Sequence, residues 1–358
     1  MNAVDKNLPP VLALFAKRIE GDDSLFELAR RRFQQAGLGA EMYAGTVSEL
    51  EWLLRFKPSL ETPVIVHLPR DLDLLDPSGS GLILNFASRF AGRVGGLVVH
   101  DQAELGSRFE DYIGAARSIA SRLSRVSHGP QLYIEYAVGL DPELFSRFCS
   151  AIAGLEGISV CIDVGHLGIW QVRKAYAQSR PGQDVCAIFP TYPQLDEPLI
   201  SEVDRAVGSA LPAILDFIQG IGGRDKTVHF HLHDGHPMSS FSPFGMSDHL
   251  SFTAQIPIGI EYHGRRFLPT MFGPAGLERI LSRAIQCIGP ELVSFTLEIH
   301  PTDDQLALDD ADDLFRHWRD KTNAMKMNHW LWVLARNCQL VRAACMKACQ
   351  VAAGASRL

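Results

Sequence analysis

The chain has no CxxC pair, no glycine-rich phosphate loop, no excess of positive charge and no long apolar run, and each absence removes a class of protein. Its seven cysteines are an odd number scattered singly, which suits reduced thiols better than a disulfide framework. Neither a GxGxxG nor a GxxxxGKS/T segment follows an apolar run, so the common nucleotide-binding folds are set aside. The formal charge is −7, which disfavours a grip on a long phosphate backbone through bulk charge, and nucleic acid is not an expected partner. No apolar stretch reaches the roughly 18–20 residues of a membrane span. MNAVDKNLPP also lacks the basic flank and apolar core of a signal peptide, so the expectation is a cytoplasmic protein with no membrane partner.

What is present is an alternation. Short runs rich in Val, Ile, Leu and Phe are separated by amphipathic stretches, the pattern of repeated βα units on a parallel sheet. Strands are predicted at Val11–Phe15, Ala40–Ala44, Val64–Leu68, Gly96–His100, Gln131–Tyr136, Ser159–Val164, Thr227–His233 and Ser294–Ile299. Helices are predicted at Ser24–Gln35 and Val47–Phe56, the second opened by Thr46 with Glu49 three residues on, a capping box. Eight such units close more readily into a barrel than an open sheet, so the expected fold is a (β/α)8 TIM barrel over residues 1–320 with a C-terminal helical extension over 321–358. The Trp and Leu face of that extension is expected to pack on the barrel or on a second copy in a homo-oligomer. Cys338, Cys345 and Cys349 share one side of it and read as buried apolar groups. Two long connections, Gln171 to about Glu202 and His236 to about Gly273, leave the C-terminal ends of the sixth and seventh strands, the face where barrels carry their active sites.

Side-chain alternation along the strands then selects the chemistry. In LYIEYA, Leu132 and Ile134 take the outer face, leaving Tyr133 and Glu135 inside; in VCIDVGH, the same reasoning leaves Cys161 and Asp163 inside. VHFHLHDGH turns His229, His231 and His233 inward, and SFTLEIHP turns Thr296, Glu298 and His300 inward. Carboxylates facing one another in a barrel mouth repel unless a cation or hydrogen bonds compensate them, so Glu135, Asp163, one of the seventh-strand histidines and Glu298 form a candidate cage for a divalent ion, with a metal-free acid/base cluster as the alternative. His67, His100, His166 and His249 fall on or just after strand ends aimed at the same mouth, enough for a second or third ion. His233, Asp234 and Arg265 are candidate substrate contacts, with a capping role for Asp234 and a solvated charge pair for Arg265 and Arg266 as the alternatives.

With IEYA, CIDVGH, HFHLHD, DHLSFTAQIPIG and TLEIHP in this order, the chain resembles the xylose-isomerase-like barrel superfamily over about residues 11 to 316. That superfamily includes sugar isomerases and epimerases and the endonuclease IV group. The resemblance implies a cytoplasmic metal enzyme with a small, carbohydrate-like substrate and one to three divalent ions (Mn, Mg, Co, Fe or Zn). On the epimerase pattern, Glu135, Asp163, His231 and Glu298 would hold one ion, Glu135 and Glu298 would move a proton beside a carbonyl, and His166 would contact the substrate. This sugar or polyol isomerase or epimerase is the leading expectation. On the endonuclease IV pattern, His67, His100, Glu135, Asp163, His166, His231, Asp248, His249 and Glu298 would surround up to three ions in a multinuclear hydrolase or phosphodiesterase. The Asp-x-His of that pattern is here Asp248 directly followed by His249.

Overall fold

Eight parallel strands close on themselves in the computed structural model, which describes residues 8–15, 23–58, 64–188, 195–241, 247–260, 264–300 and 323–355. The barrel strands are β1 (Val11–Phe15), β2 (Gly39–Tyr43), β3 (Val64–His67), β4 (Gly96–His100), β5 (Gln131–Glu135), β6 (Ile158–Asp163), β7 (Val228–Leu232) and β10 (Val293–Leu297). They run in the order β1-β10-β7-β6-β5-β4-β3-β2. Helices α1 (Asp23–Ala36), α2 (Val47–Leu53), α3 (Pro77–Arg89), α4 (Glu104–Ser107), α5 (Phe109–Leu123) and α6 (Pro142–Ala151) return the chain between the first six strands. The predicted (β/α)8 barrel is the fold observed.

Alternation holds around the barrel. Leu12, Ile65, Val98, Tyr133 and Cys161 make a separate apolar cluster inside, while Ala40, Met42, Val66, Leu97, Leu132, Ile134, Val160, Ile162 and Phe230 join the large core between strands and helices. Two residues further along the same strands, on the same face, stand His67, His100, Glu135 and Asp163. Each of these polar groups therefore rises directly above an apolar plug residue.

The local signals work as written. Thr46 caps α2 by accepting from the Glu49 amide at 3.2 Å, while the Glu49 carboxylate accepts from the Gly45 amide at 2.7 Å, one residue earlier than a capping box requires. The two long connections are more ordered than expected. After β6 comes α7 (Val164–Ser179), whose inner face is built on Leu167, Val172 and Tyr176, then α8 (Glu197–Val207) and α9 (Ala210–Ile221). After β7 comes a short turn at Pro237–Phe241 and an antiparallel hairpin, β8 (Gln255–Ile260) and β9 (Gly264–Pro269), before α10 (Gly273–Ile288).

The C-terminal helix α11 (Asn323–Ala355) packs along α10 and α1 and reaches β1 and β10, the position of the eighth helix in such a barrel. Trp330, Leu334, Cys338, Val341, Cys345 and Ala348 recur at helical spacing and are buried, with Cys349 half-buried beside them. The apolar role read for these cysteines is the one they take. Trp330 donates to the Ile299 carbonyl at 2.9 Å, tying the helix to the end of β10. Among the described residues no helix is long and apolar enough to cross a membrane.

Because Leu334 is fully buried while Trp332 on the same helix is 56% exposed, the two should respond oppositely to truncation. Leu334→Ala is expected to lose about 2–5 kcal/mol, and Trp332→Ala to stay within about 0.5 kcal/mol of the parent. Urea denaturation of both variants checks this; equal losses would mean that α11 is not a barrel helix.

Candidate metal centre

The strand ends deliver the predicted residues to one mouth. Glu135, Asp163, His231 and Glu298 each present a ligand atom within 4.8 Å of the others, and all four are buried. The remaining predicted ligands extend this set on both sides: His67 and His100 gather on Glu135, and His166 and His249, joined by His233, gather on Asp163. A further set joins His249, Glu298 and His300. Glu135, Asp163, Glu298 and His249 each belong to two sets, so the groups form a continuous chain across the mouth.

Hydrogen-bond and ion-pair distances show how the mouth is wired. Glu135 takes His67 Nε2 at 2.9 Å on one oxygen and His231 Nδ1 at 3.0 Å on the other, with His100 Nε2 at 3.4 Å from the first. Glu298 accepts the Tyr43 hydroxyl at 2.7 Å and lies 3.6 Å from His249 Nε2. Its second oxygen, Oε2, is 2.9 Å from His231 Nδ1 but has no hydrogen bond, because that nitrogen carries at most one hydrogen and it points at Glu135. A buried carboxylate oxygen left without a hydrogen bond, facing a second carboxylate and an imidazole nitrogen, is the arrangement a divalent cation satisfies. The residues present fit such an ion.

Electrostatics agree. Burial alone would raise Glu135 and Glu298, yet the neighbouring His231 outweighs it and holds both carboxyls well below their usual range. Burial opposes charge on His231 too, but the Glu41, Glu135 and Glu298 carboxylates hold this imidazole well above its ordinary value. His249 is raised to about 10 against burial by Asp248 and Glu298, and His67 and His166 are raised against burial by Glu135 and by Asp163 respectively. His100 goes the other way, to about 4, because burial wins.

His249 is held by its backbone as well as its charge. Its φ of +62° lies in the left-handed region that non-glycine residues rarely adopt, and its amide donates to His233 Nδ1 at 2.7 Å. Its ring stacks 4.1 Å from both His233 and His300. His233 leans on Gly165 at the start of α7, where any Cβ would overlap the His233 ring.

Two of the expected substrate contacts take other roles. Asp234 is fully buried and accepts from the amides of Gly235 (2.8 Å), Phe272 (3.1 Å) and Gly273 (2.8 Å), so it closes the start of α10 and does not face the mouth. Burial raises it to about 6. His233 is also fully buried, with Nε2 2.8 Å from Asp163, and belongs with the candidate ligands. His166 is half-buried and lines the mouth, 3.7 Å from both Asp163 and Asp248. The Arg265 side chain lies outside the described residues; Arg266 pairs with Glu197 at 2.9 Å on the surface. Tyr43 and His300 complete the mouth, and Glu41 lies beneath it inside the barrel, without having been selected as site residues. Glu41 and Tyr43 follow from reading β2 by the alternation applied to β5, since Ala40 and Met42 are its apolar outer face.

The mouth opens into a cavity of about 630 Å³. Phe26, Tyr43 and Trp52 wall it, Arg70 stands exposed at its rim, and Glu135, Glu298, His67, His100, His166 and His249 line it. No protein-family model matches the chain, and no curated protein matches it.

Against burial, Asp248 and Glu298 raise His249 to about 10, so this ring keeps its proton at neutral pH and an arriving cation must displace it. Divalent-ion affinity should therefore rise with pH toward the His249 value of about 10, with proton release on binding. Calorimetric titration in buffers of different ionisation heat measures both; affinity independent of pH would count against this wiring. In a separate test, Gly165→Ala should push His233 aside and lower metal content per chain.

Proposed function

We propose that this chain is a multinuclear metal-dependent hydrolase acting on a small phosphoester. The observation that carries the reading is the sharing of ligands: Glu135 and Asp163 each serve two adjacent sets, as carboxylates that bridge neighbouring ions do. When bound, divalent ions would supply Lewis-acid polarisation of a substrate oxygen and a lowered pKa for water. His67 and His100 with Glu135 would hold one ion, the four-residue cage a second, and Asp163, His166, His233 and His249 a third. Tyr43 anchors Glu298 through a 2.7 Å bond, and Arg70 at the rim supplies positive charge for an anionic group. A cavity of about 630 Å³ and an acidic chain suit a small substrate better than a polymer.

A sugar isomerase or epimerase with one ion is the second reading, favoured by the self-contained four-residue cage and by the aromatic wall of Phe26, Tyr43 and Trp52, against which a sugar face can lie. It asks Glu135 to act as a base, whereas both oxygens of Glu135 are engaged by imidazoles.

Elemental analysis of protein purified without added metal or chelator separates the two. The hydrolase reading expects two or three ions per chain, with one lost in His67→Ala and in His100→Ala, together with release of phosphate from phosphoester screens. One ion, indifferent to both substitutions, with solvent deuterium entering a sugar carbon, would replace it by the isomerase reading.

A further inference from the structure

Glu41 is a fully buried carboxylate inside the barrel, on a strand that does not neighbour β7, yet it reaches across the interior to two histidines of β7. Its Oε1 is 2.9 Å from His231 Nε2 and its Oε2 is 3.1 Å from His229 Nε2. His229 is itself held from behind, with Nδ1 2.8 Å from the Ser294 hydroxyl and Nε2 3.1 Å from Thr296 Oγ1. Neither Glu41 nor His229 lines the cavity. A carboxylate at this depth is costly unless it is paired and hydrogen-bonded, and an apolar side chain would plug the barrel as Leu12 and Ile65 do below it.

Geometry assigns the hydrogens. A carboxylate only accepts, so His231 carries a hydrogen on Nε2 and donates it to Glu41. That fixes which nitrogen remains for the mouth: Nδ1, which lies 3.0 Å from Glu135 Oε1 and 2.9 Å from Glu298 Oε2. By the same reasoning His229 donates from Nε2 to Glu41 and accepts the Ser294 hydroxyl on Nδ1. The second oxygen of Glu41 is thereby occupied, and the carboxylate is held in one orientation.

We propose that Glu41 is a positioning residue for the metal centre: it fixes the His231 tautomer and ring orientation so that Nδ1 faces the ion, and His229 with Ser294 locks Glu41 in place. This rests on the reading of the mouth as a metal site. A carboxylate behind a ligating imidazole also makes that imidazole a stronger ligand, and losing such a partner typically lowers metal affinity about 10–100-fold.

The test is titration of the metal-depleted full-length chain with Co(II), reading visible absorption and obtaining Kd by competition with a chelator. His231→Gln identifies the absorption that belongs to the ion held by His231. In Glu41→Gln that ion is expected to bind about 10–100-fold more weakly, with altered absorption, and urea denaturation of both metal-free proteins measures any purely structural effect separately. Affinity and absorption unchanged from the parent, with only metal-free stability altered, would overturn the proposal while leaving the metal site standing. No Co(II) uptake by the parent chain would overturn the metal reading and this inference with it. If Glu41→Gln does not fold, His229→Asn removes the ring atoms that reach Glu41 while retaining a polar atom near Ser294. Several-fold weaker binding in it supports the role, and parental affinity overturns it.

Discussion

One imidazole stands between three carboxylates. His231 lies within 3.0 Å of an oxygen of Glu41, Glu135 and Glu298, and every one of these groups is buried. Three carboxylates converging in a space that excludes water would ordinarily protonate or drive the strands apart. Here His231 contributes the compensating charge, and the rest of the mouth is arranged around the same need. His67 serves the far oxygen of Glu135, His249 the far side of Glu298, and His233 takes Asp163. The barrel can close because each inward carboxylate meets an imidazole from a different strand or loop.

That arrangement depends on elements far from the mouth. Asp234 pairs by backbone with Leu250 and caps α10, which fixes the loop carrying His249 to the strand carrying His231. The fully buried Asn337 on α11 accepts from the Phe252 amide and donates to the Ser251 hydroxyl, holding the same loop from the outside. Pinned at both ends, the loop can keep His249 at a positive φ, a conformation costing of order 1–3 kcal/mol when nothing enforces it. The eighth barrel helix thus does two things: it covers β1 and β10 and it braces the strained residue.

Much of this was legible because alternation in a strand is a strict rule. Wherever outer residues are plainly apolar, as Leu132 and Ile134 or Phe230 and Leu232 are, the inner ones are determined, and Glu135, His231, Asp163 and Glu298 follow. Glu41 escaped because AEMYA carries only small or flexible outer residues, so its polarity pattern is faint. The hairpin β8–β9 escaped because QIPIGI contains proline and glycine, which weaken a strand signal where no barrel neighbour is required. Asp234 and His233 read as substrate contacts because they extend β7, with capping as the alternative for Asp234; their partners, Phe272, Gly273 and Asp163, come from other parts of the chain and cannot be read from local spacing. α11 looked like an appendage because a long segment separates it from β10, although its apolar face already had the spacing of a buried helix.

The pairing of every carboxylate with an imidazole also bears on how the protein meets its ions. A cage of bare carboxylates would require cation binding to fold. In this barrel the carboxylates stand against imidazoles, with His231 held well above its ordinary value and His249 raised to about 10, so the chain itself supplies compensating charge where the ligand atoms of each set lie within 4.8 Å of one another. On the proposed reading, binding would exchange protons for a cation at these positions. Glu41 limits that exchange: because it keeps the Nε2 hydrogen of His231, only the Nδ1 side needs to be vacated, and the ring does not have to turn. On that reading, the carboxylate beneath the mouth would set which nitrogen of His231 receives an ion.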